Sequence, residues 1–73
     1  SLTWYDVLWE LEKARPRGLR LNDLGQRVLL DKYNVTRLVT RLEQEGLARR
    51  MSCPGDGRGI VALITPKGSR LRK

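Results

Sequence analysis

The sequence predicts a small α+β fold, and three observations carry that reading. Residues 31–45 place Val35, Leu38, Val39 and Leu42 at the i, i+3, i+4, i+7 spacing of a core-facing helix. The opposite face of the same helix holds Tyr33, Thr36, Arg37, Thr40 and Arg41, mostly side chains suited to phosphates or base edges and not required by a small core. Two β-compatible runs follow, separated by Pro54-Gly55-Asp56-Gly57-Arg58-Gly59, which reads as a hairpin with a Gly-rich turn. Together these describe a winged helix-turn-helix: three helices, a small antiparallel β-hairpin wing and the start of a further helix.

The first helix is predicted from about Trp4 to Ala14, with Thr3 as its cap, Asp6 at the third helical position and Leu2 packing back on Val7. Its stripe of Trp4, Val7, Leu8 and Leu11 has core spacing. Leu2, Tyr5 and Trp9 lie on nearly the opposite side, and apolarity on two sides of an end helix predicts a neighbouring element over the second stripe. Scattered surface aromatics are the alternative. Arg15-Pro16-Arg17-Gly18 ends the helix, because Pro16 disfavours helical geometry at the residue before it and Gly18 permits a tight turn. Leu19-Arg20-Leu21 follows as a very short strand. Asn22 is the cap expected for a second helix of about Asp23 to Leu29, with Leu24 and Val28 on one face and Gly25 leaving room for close approach.

A turn at Leu30-Asp31 leads into the third helix, capped by Asp31. That helix stops at Gly46, with Leu47 placed to touch Leu42 as in a Schellman ending. Leu47 to Cys53 and Ile60 to Thr65 are the expected wing strands. Thr65-Pro66 reads as a cap and a first-turn proline, so a final helix begins there and runs out after about two turns. The initial Ser and this short last helix predict a single domain over 1–73 that is a fragment lacking segments at both ends.

Composition narrows the partner. In 73 residues, 15 Lys and Arg stand against 8 Asp and Glu, a net charge of +7, which favours a polyanion. The excess is uneven. Residues 1–14 hold Asp6, Glu10 and Glu12 against Lys13, a net −2, whereas 66–73 hold Lys67, Arg70, Arg72 and Lys73, a net +4. The first helix is therefore not the expected nucleic-acid surface. One cysteine permits no intrachain disulfide, and no run has the length of a membrane span or the pattern of a signal peptide, so a cytoplasmic protein is expected. With no His, and with Cys53 as the sole thiol, neither a metal site nor an activated nucleophile is in view. No enzyme and no cofactor are expected.

Helix-turn-helix spacing around Leu30-Asp31 lets the second helix brace the third, whose N-terminal half can then enter a major groove. A plain helical hairpin shares that spacing. The wing tip adds Arg58 on a protrusion, where a guanidinium suits a narrow, electronegative minor groove. Of Arg49 and Arg50 at the start of the wing, one is expected to face a phosphate and the other to cover apolar surface with its stem. Arg17, Arg20 and Arg27 read equally as backbone contacts or as solvated charges. The basic tail from Lys67 reads as a phosphate contact or as the polar face of a longer helix. Cys53 near a strand end reads as inert unless its thiolate is stabilised.

With these residues in place, the chain resembles the DNA-binding core of the multiple-antibiotic-resistance regulator (MarR) family. The matching text is Leu24-Gly25, Asn34-Val35-Thr36-Arg37-Leu38-Val39, Leu42-Glu43-Gln44-Glu45-Gly46-Leu47, Asp56-Gly57-Arg58-Gly59 and Ile64-Thr65-Pro66-Lys67-Gly68. The resemblance implies a homodimeric transcriptional regulator binding double-stranded DNA. It implies that Arg58 enters the minor groove, that Asp56 holds the wing, and that Lys32, Tyr33, Asn34, Thr36, Arg37 and Arg41 meet bases and phosphates; Arg49 joins this DNA-binding set from its place at the start of the wing strand. It further implies small lipophilic effectors bound between this core and the dimerising helices, so that Leu2, Tyr5 and Trp9 form a dimer or ligand-side face. Asp31 departs from the more usual Ser and is read as a structural cap, since its carboxylate repels phosphate. Tyr33 stands where a small polar residue is common. The alternative from another class is a protein-interaction module that uses the apolar first-helix face; some winged helices also bind RNA.

Overall fold

A computed structural model describes residues 2–52 and 59–72, without the side chains of 2, 3 and 72. The elements run α1 (Leu2–Lys13), β1 (Leu19–Arg20), α2 (Leu21–Val28), α3 (Lys32–Gln44), β2 (Ala48–Ser52), β3 (Ile60–Ile64) and α4 (Pro66–Arg72). The three strands form one antiparallel sheet in the order β1-β3-β2. This is the expected winged helix-turn-helix.

The core forms where the helical stripes meet. Val7, Leu8 and Leu11 of α1, Leu24 of α2, and Val35, Val39 and Leu42 of α3 are buried together with Leu47, Ala48 and Ala62 from the sheet side. Burial of each such Leu or Val side chain is worth about 1.5–3 kcal/mol. Leu38, read as a core position, is only half-buried and packs on the edge of this cluster. Among the described residues no polar side chain is buried.

α1 begins at Leu2, so Thr3 lies inside the helix and does not cap it. Threonine is only mildly unfavourable in a helix, and the extra residues cost little. Gly18 then closes the turn at φ +82°, where a Cβ would run into the Ala62 carbonyl oxygen and come within 2.8 Å of Val61 Cγ1. This bare backbone lets β1 pair Leu19 with Ala62 and Arg20 with Val61.

α2 also starts early. Leu21 is its first residue and Arg20 its cap position, with no side-chain capping bond, so Asn22 is an exposed first-turn residue and not the cap. Leu21 packs against the core, and the apolar contact outweighs the capping preference of Asn22. The helix ends on Leu29, a non-glycine in the left-handed conformation at φ 59°, ψ 41°. Gly25 is buried against the turn, where a Cβ would lie 2.9 Å from the Leu30 carbonyl oxygen.

α3 is bounded as expected. Asp31 accepts the Asn34 backbone N–H at 2.8 Å, and Gly46 at φ +76° closes the other end. There Leu47 N donates to Leu42 O at 2.8 Å and Gly46 N to Glu43 O at 3.0 Å, the paired bonds of a Schellman ending. Thr65 ties the start of α4 to this ending. Its hydroxyl donates to Gly46 O at 2.6 Å and accepts Gly68 N at 3.1 Å, while its backbone N–H donates to Leu47 O at 3.1 Å.

Candidate nucleic-acid interface

The outer face of α3 is a ridge of exposed polar side chains opposite the buried Val35, Val39 and Leu42. Lys32, Tyr33, Asn34, Arg37 and Arg41 are exposed, and Thr36 is half-buried between them. The Arg37 guanidinium lies 5.6 Å from the centroid of the Tyr33 ring, one turn away on the same face. Tyr33 is 69% exposed, so its ring serves as a shelf for Arg37 and contributes nothing to the core. Thr40, read as part of this face, is half-buried, and its hydroxyl donates to Thr36 O at 2.9 Å along the helix.

At the head of the ridge, both Asp31 carboxylate oxygens are engaged by Asn34: Oδ1 by the backbone N–H and Oδ2 by the side-chain amide at 3.1 Å. At its far end the chain turns into β2, where the two adjacent arginines separate. Arg50 is half-buried and bonded to Glu43, with Nη2 at 3.0 Å and Nε at 3.1 Å from Oε1. Arg49 is exposed on the other side of the strand and, among the described residues, makes only a long contact of 3.9 Å to the Met51 sulfur. Arg49 is thus the outward cation and Arg50 the structural one.

Charge is sorted across the molecule. Two of the three acids on α1 are paired, Glu10 with Lys13 at 3.1 Å and with Arg27 of α2 at 3.4 Å, and Glu12 with Arg15 at 3.4 Å. Arg27 thus reaches from α2 toward α1. Among the described residues Lys32, Arg37, Arg41 and Arg49 form no salt bridge. Their charge is available to an anion. Lys67 is exposed on α4, and its Nζ donates to Glu45 O at 3.1 Å, which helps close the C-terminus of α3.

Tyr5 and Trp9 stand 52% and 47% exposed on α1, with Lys13 Nζ 5.5 Å from the Trp9 ring. Leu2 belongs to the same helix, but its side chain lies outside the description. Cys53, Asp56 and Arg58 lie outside the described residues. No group of three or more Cys, Asp and Glu side chains able to hold a metal occurs among the described residues, and no helix is long and apolar enough to cross a membrane.

Sequence reasoning missed the Glu43–Arg50 clamp and the Lys67 cap. Opposite charges flanking the Gly46 stop were the available signal for the first. For the second, a lysine two residues after the Thr65 cap gave no sign of which helix it would reach.

Comparison with known proteins gives a consistent picture. The sequence model of the MarR family matches residues 1–59. The HTH-type transcriptional regulator TtmR of Methylorubrum extorquens (strain PA1) is 38% identical over 66 residues, which cover 90% of this chain and 31% of that protein. Among solved structures, the PcaV transcriptional regulator of Streptomyces coelicolor, in complex with its natural ligand, superposes with a TM-score of 0.89 at 35% identity, over 99% of this chain and 50% of that one. The DNA complex of MepR from S. aureus has the same fold, with a TM-score of 0.93 at 24% identity, over 99% of this chain and 58% of that one. The chain thus spans half or less of the length of TtmR and PcaV. These relatives are transcriptional regulators and not enzymes. A family model covering most of the chain and a regulator 38% identical across nearly all of it place this chain in the MarR family.

Proposed function

We propose that this domain binds double-stranded DNA in a sequence-specific manner, as the reading head of a homodimeric transcriptional regulator. The observation that carries the proposal is the α3 ridge, where unpaired cations and exposed polar side chains project from a helix whose other face is locked in the core. Lys32, Arg41 and Arg49 supply phosphate contacts. Tyr33, Asn34, Thr36 and Arg37 face base edges in the major groove. Arg58, supported by Asp56, takes the minor groove beside the wing. The DNA-bound MepR shares the fold.

In the homodimer two α3 helices meet successive major grooves about one helical turn, roughly 10 bp, apart. Affinity comes mainly from phosphate neutralisation and specificity from the ridge. The α1 face of Tyr5 and Trp9, with Leu2, is the side covered by the rest of the protein or by a small lipophilic effector. The ligand-bound state of PcaV supports an effector of some kind for this family.

The test is a pair of substitutions. Arg37→Ala relaxes base preference and costs about 1–3 kcal/mol on a specific site if Arg37 contacts a base bidentately. Arg58→Ala carries its largest penalty on sites with A·T-rich flanks. Equal losses on specific and random DNA for Arg37→Ala would remove it from the specificity set, and an unchanged ranking of flanks would remove Arg58 from the minor groove.

A further inference from the structure

The Asp31 side chain holds more than the end of a helix. One carboxylate oxygen accepts the Asn34 backbone N–H, which is capping; the other accepts the Asn34 side-chain amide at 3.1 Å, which capping does not require. A carboxylate only accepts hydrogen bonds, so it can hold a carboxamide in one orientation, with Nδ2 toward it and Oδ1 away. A hydroxyl at position 31 would both donate and accept and would leave the amide free to turn over.

Orientation matters because of what Asn34 has left to offer. With one N–H committed to Asp31, the amide keeps one N–H and its carbonyl oxygen. That adjacent donor and acceptor match the N7 acceptor and N6 amino group of adenine in the major groove. Guanine presents two acceptors there, N7 and O6, and a carbonyl oxygen held outward meets O6 in repulsion. Asn34 is the third residue of α3 and exposed, within the half of a recognition helix that reaches base edges.

We propose that Asn34 reads an adenine in each half-site and that Asp31 is its positioning residue, fixing the amide orientation that separates adenine from guanine. The assignment rests on the DNA-reading role proposed above. It also gives Asp31 a reason to be an acid beside phosphates, where its charge opposes binding. Asp31 trades general affinity for selectivity.

The experiment uses the full-length protein and compares wild type, Asn34→Ala, Asp31→Ser and the double variant. Each is bound to the duplex that wild type enriches from a random pool and to every single-base variant of one half-site. Wild type favours adenine over guanine at one position by roughly five- to hundredfold. Asn34→Ala flattens that position. Asp31→Ser keeps a cap of similar quality and its melting temperature. It binds all sequences more tightly because a negative charge is gone, and loses most of the adenine preference. The double variant is no flatter than Asn34→Ala. Tighter binding with the preference intact in Asp31→Ser would overturn the positioning role, and an intact preference in Asn34→Ala would overturn the adenine contact. Failure of wild type to enrich any sequence would overturn the DNA-reading role itself, and this assignment with it.

Discussion

Glu43 clamps Arg50 across the junction between the third helix and the wing. One carboxylate oxygen takes both side-chain donors, and the other accepts the Arg50 backbone N–H at 3.3 Å. Arg50 is bonded back to α3 through both its side chain and its backbone N–H, so this contact ties the strand to the helix. Its neighbour Arg49 points the other way. The two arginines should therefore fail differently. Arg50→Ala is expected to lose about 1 kcal/mol of stability, as befits a part-exposed multidentate pair. Arg49→Ala should leave stability within about 0.5 kcal/mol while weakening all DNA sequences alike and lowering the salt slope by about 1. Thermal unfolding and salt titration of both variants check the division. A stability loss at Arg49 with none at Arg50 would reverse it.

Leu29 is the one described non-glycine with positive φ, and it is 90% exposed. The left-handed conformation costs an L-residue about 1–2 kcal/mol, and so exposed a side chain recovers little by burial. Leu29→Gly removes that strain and gives back about 0.5–1 kcal/mol in unfolded-chain entropy. The expected net is a gain of about 0.5–1 kcal/mol, which for a domain of this size raises the melting temperature by a few degrees. A lower melting temperature would mean that Leu29 makes contacts that stabilise the turn.

Gly68 is buried in the first turn of α4, where a Cβ would collide with the Leu47 carbonyl oxygen and lie 2.9 Å from Ile64 Cγ1. Alanine normally improves a helix position by up to about 1 kcal/mol over glycine. Here the obstacle is backbone held by the Schellman ending and by Thr65, so it cannot move aside cheaply. Gly68→Ala should destabilise by about 1–3 kcal/mol despite the better propensity. A neutral or stabilising result in thermal unfolding would show that α4 shifts freely on the sheet.

What could be read from the sequence was what local chemistry decides. The two faces of α3, its Asp31 cap, its Gly46 stop and the Thr65-Pro66 start of α4 each depend on residues within a turn of one another. Where two local preferences competed, the reading failed: Asn22 is a good cap, but Leu21 has a core to enter and draws α2 forward. Leu29 carried no signal because leucine gives no indication of a left-handed residue. The roles of Arg49 and Arg50 were symmetric in the sequence and were separated only by Glu43, seven residues before Arg50 and across a turn. Tyr33 and Arg37 were both legible as surface residues, but their stacking required knowing that neither had another partner. Arg58 and Asp56 stand as sequence expectations, because they lie outside the described residues.

The central claim is that the α3 ridge reads DNA. The most direct measurement is selection by the full-length protein from a randomised duplex pool at two salt concentrations. Enrichment of a pseudo-palindrome with half-sites about one helical turn, roughly 10 bp, apart is predicted, with affinity falling steeply as salt rises. No enrichment and no salt dependence would contradict the claim and make the exposed α1 face of Tyr5 and Trp9 the working surface instead.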